Sequence, residues 1–240
     1  MGCAAGHALR NAGSDSDYAE TALHAYLDRL DMWRSMSTKI KLHVVTNEAR
    51  FRARGHLLYL TGERYEVGFV KPYDRLLGNF YITPDQVIYW DLTISPRTFN
   101  VEEPPDLKEL IPVGLSNWNI RDLLPFPVGG RSGGLRVDSI WNHDGRVFVS
   151  AFCDSAQHIL TLSGRGGYIE SERIQRPGHD VMLKQYGKYH NYHGWPIPHK
   201  TICMDSTATI RLTWTLSDME LDAIEFTYDP YQPSHAEPSP

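Results

Sequence analysis

The sequence predicts a mainly β, α+β domain, an antiparallel sheet with a helix on one face. Three observations lead there. A long stripe of apolar residues at helical period stands near the N-terminus. After it, apolar and polar residues alternate at a period of two in successive short runs, parted by Gly, Pro and Asp turns. No strand–helix alternation interrupts those runs, so a dinucleotide-binding fold does not fit. The chain has 240 residues, and its 13 Tyr, 8 Phe and 6 Trp suit strands and large apolar cavities.

Residues 1–16 are small and polar and read as a flexible linker. A helix over 17–36 follows. Asp17 and Glu20 stand at capping-box spacing, and Ala19, Leu23, Tyr26, Leu27, Leu30 and Trp33 form one stripe. Glu20, His24, Asp28, Asp31 and Arg34 take the opposite face. The period then changes to two. Ile40, Leu42 and Val44 alternate with Lys39, Lys41 and His43; Phe51 to Tyr59 and Tyr65 to Phe69 repeat the pattern. Arg75–Ile82 and Val87–Trp90 read as two more strands around a Pro-led turn at Thr83–Gln86.

Residues 95–134 break the pattern with six prolines and, near the end, four glycines. Within them Ser116 is placed to cap a short helix that ends at Leu124, before Pro125. Ile120, Leu123 and Leu124 share one face of that helix, and Trp118 lies at its flank. Pro and Gly on both sides let the segment hinge, which suits a lid. Strands resume at Ser139. Asn142-His143-Asp144-Gly145 is a hairpin turn, because Asp-Gly tolerates positive φ. Val147–Phe152, His158–Leu162, Tyr168–Ile174, Ala208–Leu216 and Leu221–Tyr228 continue the meander, and 231–240 is a tail. The expectation is one domain over 17–230 and one sheet of roughly ten strands curved around the helix.

The formal charge is −5, from 24 Lys and Arg against 29 Asp and Glu, which argues against bulk nucleic-acid binding. Charged residues are 22% of the chain and hydrophobic ones 41%, the balance of a folded domain and not of a disordered acidic one. No apolar run of about 18 residues is present to form a membrane-spanning helix. The three cysteines, Cys3, Cys153 and Cys203, form no CxxC pair. Cys153 and Cys203 lie in strand-like stretches, as buried thiols or, in an oxidising compartment, as a bridge. Cys3 fits two readings. One is a free thiol in a floppy tail; the other is an acylated Cys whose precursor carries an apolar signal ending just before it.

Catalytic signals are weak. Gly130-Arg131-Ser132-Gly133-Gly134 spells G-x-S-x-G, but Pro-Phe-Pro-Val precedes it where a nucleophile elbow needs a buried strand. His179, His190, His193 and His199 crowd among tyrosines. His190 and His193 fall on opposite faces of a strand, and no HExxH or Cys pair supports a metal. Asp205 and Asp218 are isolated. No catalytic residue, metal site or cofactor is assigned.

Three stretches carry a resemblance: Gly55-His-Leu-Leu-Tyr-Leu, then Tyr65-Glu-Val-Gly-Phe-Val-Lys-Pro72, then Ile82-Thr-Pro-Asp-Gln-Val-Ile-Tyr-Trp-Asp91. With Leu221-Asp-Ala-Ile-Glu-Phe-Thr-Tyr-Asp-Pro230 at the end, their succession resembles the LolA/LolB-like outer-membrane lipoprotein carrier superfamily. The resemblance covers 17–230 in order more than in identities. It implies a curved, half-open β-barrel with short lid helices and an apolar cavity for acyl chains, without enzymatic activity. On that reading Tyr65, Val67, Phe69, Phe80, Tyr89, Ile120, Leu123 and Leu124 line the cavity. The implied partners are a lipid or an acylated lipoprotein, and the membrane surface through an anchor at Cys3, with no nucleic acid. The implied place is the bacterial cell envelope, facing the periplasm. Where the carriers have an Arg-Pro that helps hold the lid, this chain has Thr61-Gly62-Glu63-Arg64, so Arg64 is displaced and lacks the Pro. A second reading is a structural, interaction or envelope-sensing protein of the same fold whose cavity is filled by its own side chains. Burial of an acyl chain gains about 0.8 kcal/mol per CH₂, so a dry concave sheet under a movable cover is able to extract lipid.

Overall fold

Period-two alternation becomes a continuous antiparallel sheet in the computed structural model. The structure describes residues 17–28, 35–60, 64–70, 76–83, 86–90, 97–100, 118–119, 121–127, 135–153, 155–163, 168–192 and 194–222. Residues 17–28 form helix α1. The strands are β1 (Ser35–Val45), β2 (Arg50–Leu60), β3 (Arg64–Val70), β4 (Leu76–Ile82), β5 (Gln86–Trp90) and β6 (Arg97–Asn100). A second series follows: β7 (Arg136–His143), β8 (Arg146–Cys153), β9 (Ala156–Ser163), β10 (Ile169–Gln175), β11 (Met182–Tyr192), β12 (Trp195–Asp205) and β13 (Arg211–Leu221). They form one sheet in the order β6-β5-β4-β3-β2-β1-β13-β12-β11-β10-β9-β8-β7. Two meanders, β1–β6 and β7–β13, thus join side by side where β1 pairs antiparallel with β13. The end strands β6 and β7 do not pair with each other, so the sheet does not close into a barrel.

The sheet is strongly curved. The ring of Phe126 lies 6.2 Å from that of Tyr59 on β2 and 6.5 Å from that of Tyr65 on β3. Its carbonyl accepts a hydrogen bond from Lys184 of β11 at 3.3 Å. In a flat sheet β3 and β11, five steps apart, would be about 24 Å from each other, with their side chains standing parallel. Meeting at one residue requires the sheet to wrap.

The concave face is covered in two halves. On one, Ala19, Ala22, Leu23 and Tyr26 of α1, spaced i, i+3, i+4 and i+7, pack on Val147, Val149, Leu160, Leu162 and Ile169. On the other, Trp118, Leu123, Leu124 and Phe126 join a core of Ile40, Leu42, Leu57, Val67, Leu212, Trp214 and Leu216.

Gly55 marks a tight point of the wrap. A Cβ there would lie 1.8 Å from the Gly68 carbonyl oxygen, which is backbone and must shift. Gly55→Ala is expected to cost about 1–3 kcal/mol, read as a lower urea midpoint. An unchanged midpoint would mean that β2 and β3 separate freely.

Several expectations are corrected. The sheet has thirteen strands, not ten. The additions are β6 and the long β11–β12 hairpin, whose inward-facing Lys184 and Thr201 break the binary pattern. Ser35 and Met36 open β1 and do not end the helix; residues 29–34 lie outside the described ones. The strand expected at 208–216 is β13, Arg211–Leu221, and residues 223–228 lie outside the described ones. Described residues 118–127 are turns and bends, not a helix. The Asn119 side-chain oxygen accepts from the Arg121 amide at 3.0 Å, an Asx turn that competes with helix, and Pro125 and Pro127 offer no N–H to extend one. Asp144 and Gly145 take φ of 51° and 73° at the β7–β8 hairpin, as Asp-Gly predicts.

Candidate functional site

The site is an apolar cavity between the sheet and segment 118–127. Inward residues of four strands form its wall: Leu42 on β1, Val67 and Phe69 on β3, Phe80 and Ile82 on β4, Leu212 and Trp214 on β13, with β2 lying between β1 and β3. Leu123 and Leu124 form its cover. Phe69 meets Phe80 edge-on at 6.1 Å and stacks on Trp214 at 6.3 Å. The space left for the centres of water-sized spheres is about 30 Å³. That is room for one or two waters, so an acyl chain enters only if the cover moves.

Besides its buried apolar side chains, polar contacts hold the cover. The Trp214 indole donates to the Leu123 carbonyl at 2.7 Å, and the Thr201 hydroxyl to the Pro125 carbonyl at 2.7 Å. Lys184 donates to the Phe126 carbonyl. Arg176 grips Asp122 with two bonds of 3.1 Å, and Arg121 donates to the Thr83 carbonyl. These groups satisfy a backbone that has no sheet partner of its own, as buried carbonyls require.

At the junction between the two covered halves sits a charged cluster. His158 on β9, Glu172 on β10 and Lys184 on β11 are each at most 1% exposed. His158 donates from Nδ1 to Glu172 Oε1 at 2.7 Å, and the Tyr186 hydroxyl donates to Oε2 at 2.6 Å. Lys184 Nζ stands 4.0 Å from Oε2. Burial alone would raise the Glu172 pKa. The Lys184 charge and the hydrogen bonds from His158 and Tyr186 outweigh it and hold the carboxyl at about 2. Burial and the same carboxylate push the Tyr186 phenol well above its ordinary value. Burial pushes the Cys203 thiol up to about 12, so it is not a nucleophile at neutral pH. Cys203 and Cys153 are buried and not joined in a disulfide.

Of the residues expected to line a cavity, Val67, Phe69, Phe80, Leu123 and Leu124 come together. Tyr65 is buried beside it, with its ring 5.0 Å from that of Tyr59. Tyr89 pairs with Phe80 across β5 and β4, but its side chain lies outside what is described. Ile120, Cys3 and the Gly130–Gly134 loop lie outside the described residues. Leu42 and Ile82 were legible as inward positions of alternating strands. Leu212 and Trp214 needed the β1–β13 pairing, which no local pattern shows. Arg64 begins β3, exposed; the arginines that tie the cover down are Arg121 within it and Arg176 just after β10. The His190 and His199 rings stack at 3.8 Å, faces together, and the Tyr192 hydroxyl is 2.9 Å from His199 Nε2. Among the described residues no three His, Cys, Asp or Glu converge as metal ligands.

A half-open, thirteen-stranded sheet wrapped around one helix and a covering segment is a LolA-like fold. A LolA superfamily protein from Nitrosomonas europaea superposes with a TM-score of 0.62 at 12% identity, over 86% of this chain and 94% of that one. A domain assigned to outer-membrane lipoprotein sorting from Vibrio parahaemolyticus gives 0.61 at 11% identity, over 87% and 95%. A DUF1329 family protein from Desulfovibrio piger gives 0.63 at 8% identity, over 87% and 93%. No protein-family model and no curated protein matches the sequence. The likeness is therefore one of fold.

Proposed function

We propose that the protein binds the acyl chains of a lipid or an acylated lipoprotein between the sheet and segment 118–127. In this reading it is a non-enzymatic carrier or receptor of the bacterial cell envelope, anchored to the membrane through an acylated Cys3. The observation that carries the reading is an apolar cavity whose cover is held by hydrogen bonds and one ion pair, and not by strand pairing. Such a cover moves without unravelling the sheet. The fold shared with a domain assigned to lipoprotein sorting supports the same reading. The small residual volume favours a second one, in which Leu123 and Leu124 fill the cavity permanently and the protein acts through its surface.

Uptake of a fluorescent fatty acid separates the two. Asp122→Asn weakens the tie to Arg176, and removing about 1.4 kcal/mol from the closed state speeds opening about tenfold. The expected result is slow uptake by the natural sequence and about tenfold faster uptake by the variant. If neither takes up the probe, the self-filled reading stands. Mass spectrometry of the protein expressed in a bacterial envelope with a leader would show co-purified lipid and an acyl mass on Cys3. An unmodified Cys3 would remove the anchor.

A further inference from the structure

The outward face of the same strands carries a concentration of positive charge. Along β1 and β2 the residues alternating with the core are Lys39, Lys41, His43 and Arg50, Arg52, Arg54, His56. Register turns them into rows. Lys200 on β12 faces Thr215 on β13, which faces Lys41, which faces Arg54. In the next row His43 faces Arg52, and in the third Val45 stands between Arg211 and Arg50. Six Lys and Arg therefore share a surface about 15 Å on a side, from strand spacings of about 4.8 Å and about 3.4 Å per residue along a strand.

Few acids answer them. Asp218 takes Lys39 at 2.8 Å and is close enough to feel the Lys41 charge, and Glu220 lies beyond them, opposite Ser37. Glu66 faces Leu58 on the β3 side, and Glu48 lies in the β1–β2 turn. Among the described residues no ion pair closes on Lys41, Arg52 or Arg54. Lys41 and Arg54 are directly opposed, an arrangement that destabilises a sheet. The whole chain is −5, so this face is a local excess against an acidic background.

We infer that this convex face docks on an anionic phospholipid surface, independently of any anchor at Cys3. Its charge is complementary to such a surface, which attracts each nearby Lys or Arg. The geometry disfavours nucleic acid. No Phe, Tyr or Trp stands among these outward positions to stack a base, and a broad sheet face offers no helix or ribbon to a groove. The inference does not rest on the cavity: a protein that binds vesicles and takes up no fatty acid keeps the one and loses the other.

The test is co-sedimentation of the 240-residue Cys3→Ser protein with vesicles of phosphatidylglycerol and phosphatidylcholine, or of phosphatidylcholine alone. Binding is expected to the anionic vesicles only, and to weaken as salt rises from about 0.05 M to about 0.5 M. Lys41→Gln, Arg52→Gln and Arg54→Gln together should weaken it on the order of 100-fold. Should that triple variant not fold, Lys200→Gln with Arg211→Gln should weaken it about 30-fold. Equal binding to neutral vesicles, or unchanged affinity in a folded variant, would overturn the inference. So would tighter binding to an oligonucleotide or to polyglutamate than to the anionic vesicles.

Discussion

Glu172→Gln is expected to cost about 3–5 kcal/mol at neutral pH, because it leaves the buried Lys184 ammonium without its carboxylate. The amide keeps the size of the side chain and still reaches His158 and Tyr186, so the loss reports charge more than packing. Acid should reveal the same interaction in the natural sequence. The folded pKa of about 2 lies below the ordinary value of 4.5. The carboxylate therefore contributes stability that is fully present above about 4.5 and disappears as pH falls through about 2. That gap corresponds to about 3 kcal/mol. Urea unfolding of both proteins at several pH values between 7 and 2 checks it. The natural sequence should lose stability over that window more steeply than the variant, and parallel curves would show that Glu172 titrates as it does in the unfolded chain. Adding Lys184→Met to Glu172→Gln should recover part of the loss, since the orphaned charge goes with it.

Leu124→Ala should cost about 2–5 kcal/mol, and the missing side chain should be replaceable from solution. Leu124 is 4% exposed and part of the main core, so fold stability and cavity closure depend on the same atoms. The void left behind is lined by Leu, Val, Ile, Phe and Trp, and such a cavity stays dry and accepts an apolar guest. A saturated medium-chain fatty acid at about 100 times its Kd should return about 2.7 kcal/mol. Thermal melts of the variant, with and without the fatty acid, read the effect directly. A folded variant whose melting temperature ignores every chain length would show that the space under the cover is closed to ligands.

The parts of the fold legible in sequence were those where burial follows the binary pattern. Ile40, Leu42 and Val44 against Lys39, Lys41 and His43 gave β1, and Val67, Phe69 and Phe80 gave half of the cavity wall. The β11–β12 hairpin stayed hidden because Lys184 and Thr201 face inward, satisfied by Glu172 and by carbonyls that belong to a distant segment. Sequence spacing has no term for a buried charge whose partners come from other strands. The helix expected at 116–124 failed for a similar reason. Leu123 and Leu124 do face the core, but the backbone bonds to itself only in i→i+3 turns, at Asn119–Asp122 and Arg121–Leu124, and its other carbonyls accept from side chains of β11, β12 and β13. Trp214 escaped notice as a cavity residue because its place beside Leu42 depends on strands more than 160 residues apart in the chain.

The donors from Trp214, Thr201 and Lys184 end on the main-chain oxygens of residues 123, 125 and 126. At these three points, though not at the Asp122–Arg176 pair, the segment is held by atoms that every amino acid possesses. A change of side chain at 123 or 124 alters the shape and size of what fits beneath and leaves the three seats in place. On the proposed reading, the size of guest is set in two side chains of the segment, whereas these three seats belong to β11, β12 and β13. If acyl chains bind there, guests of graded length could be matched by substitutions at two positions, at some cost in stability but with the three carbonyl seats kept.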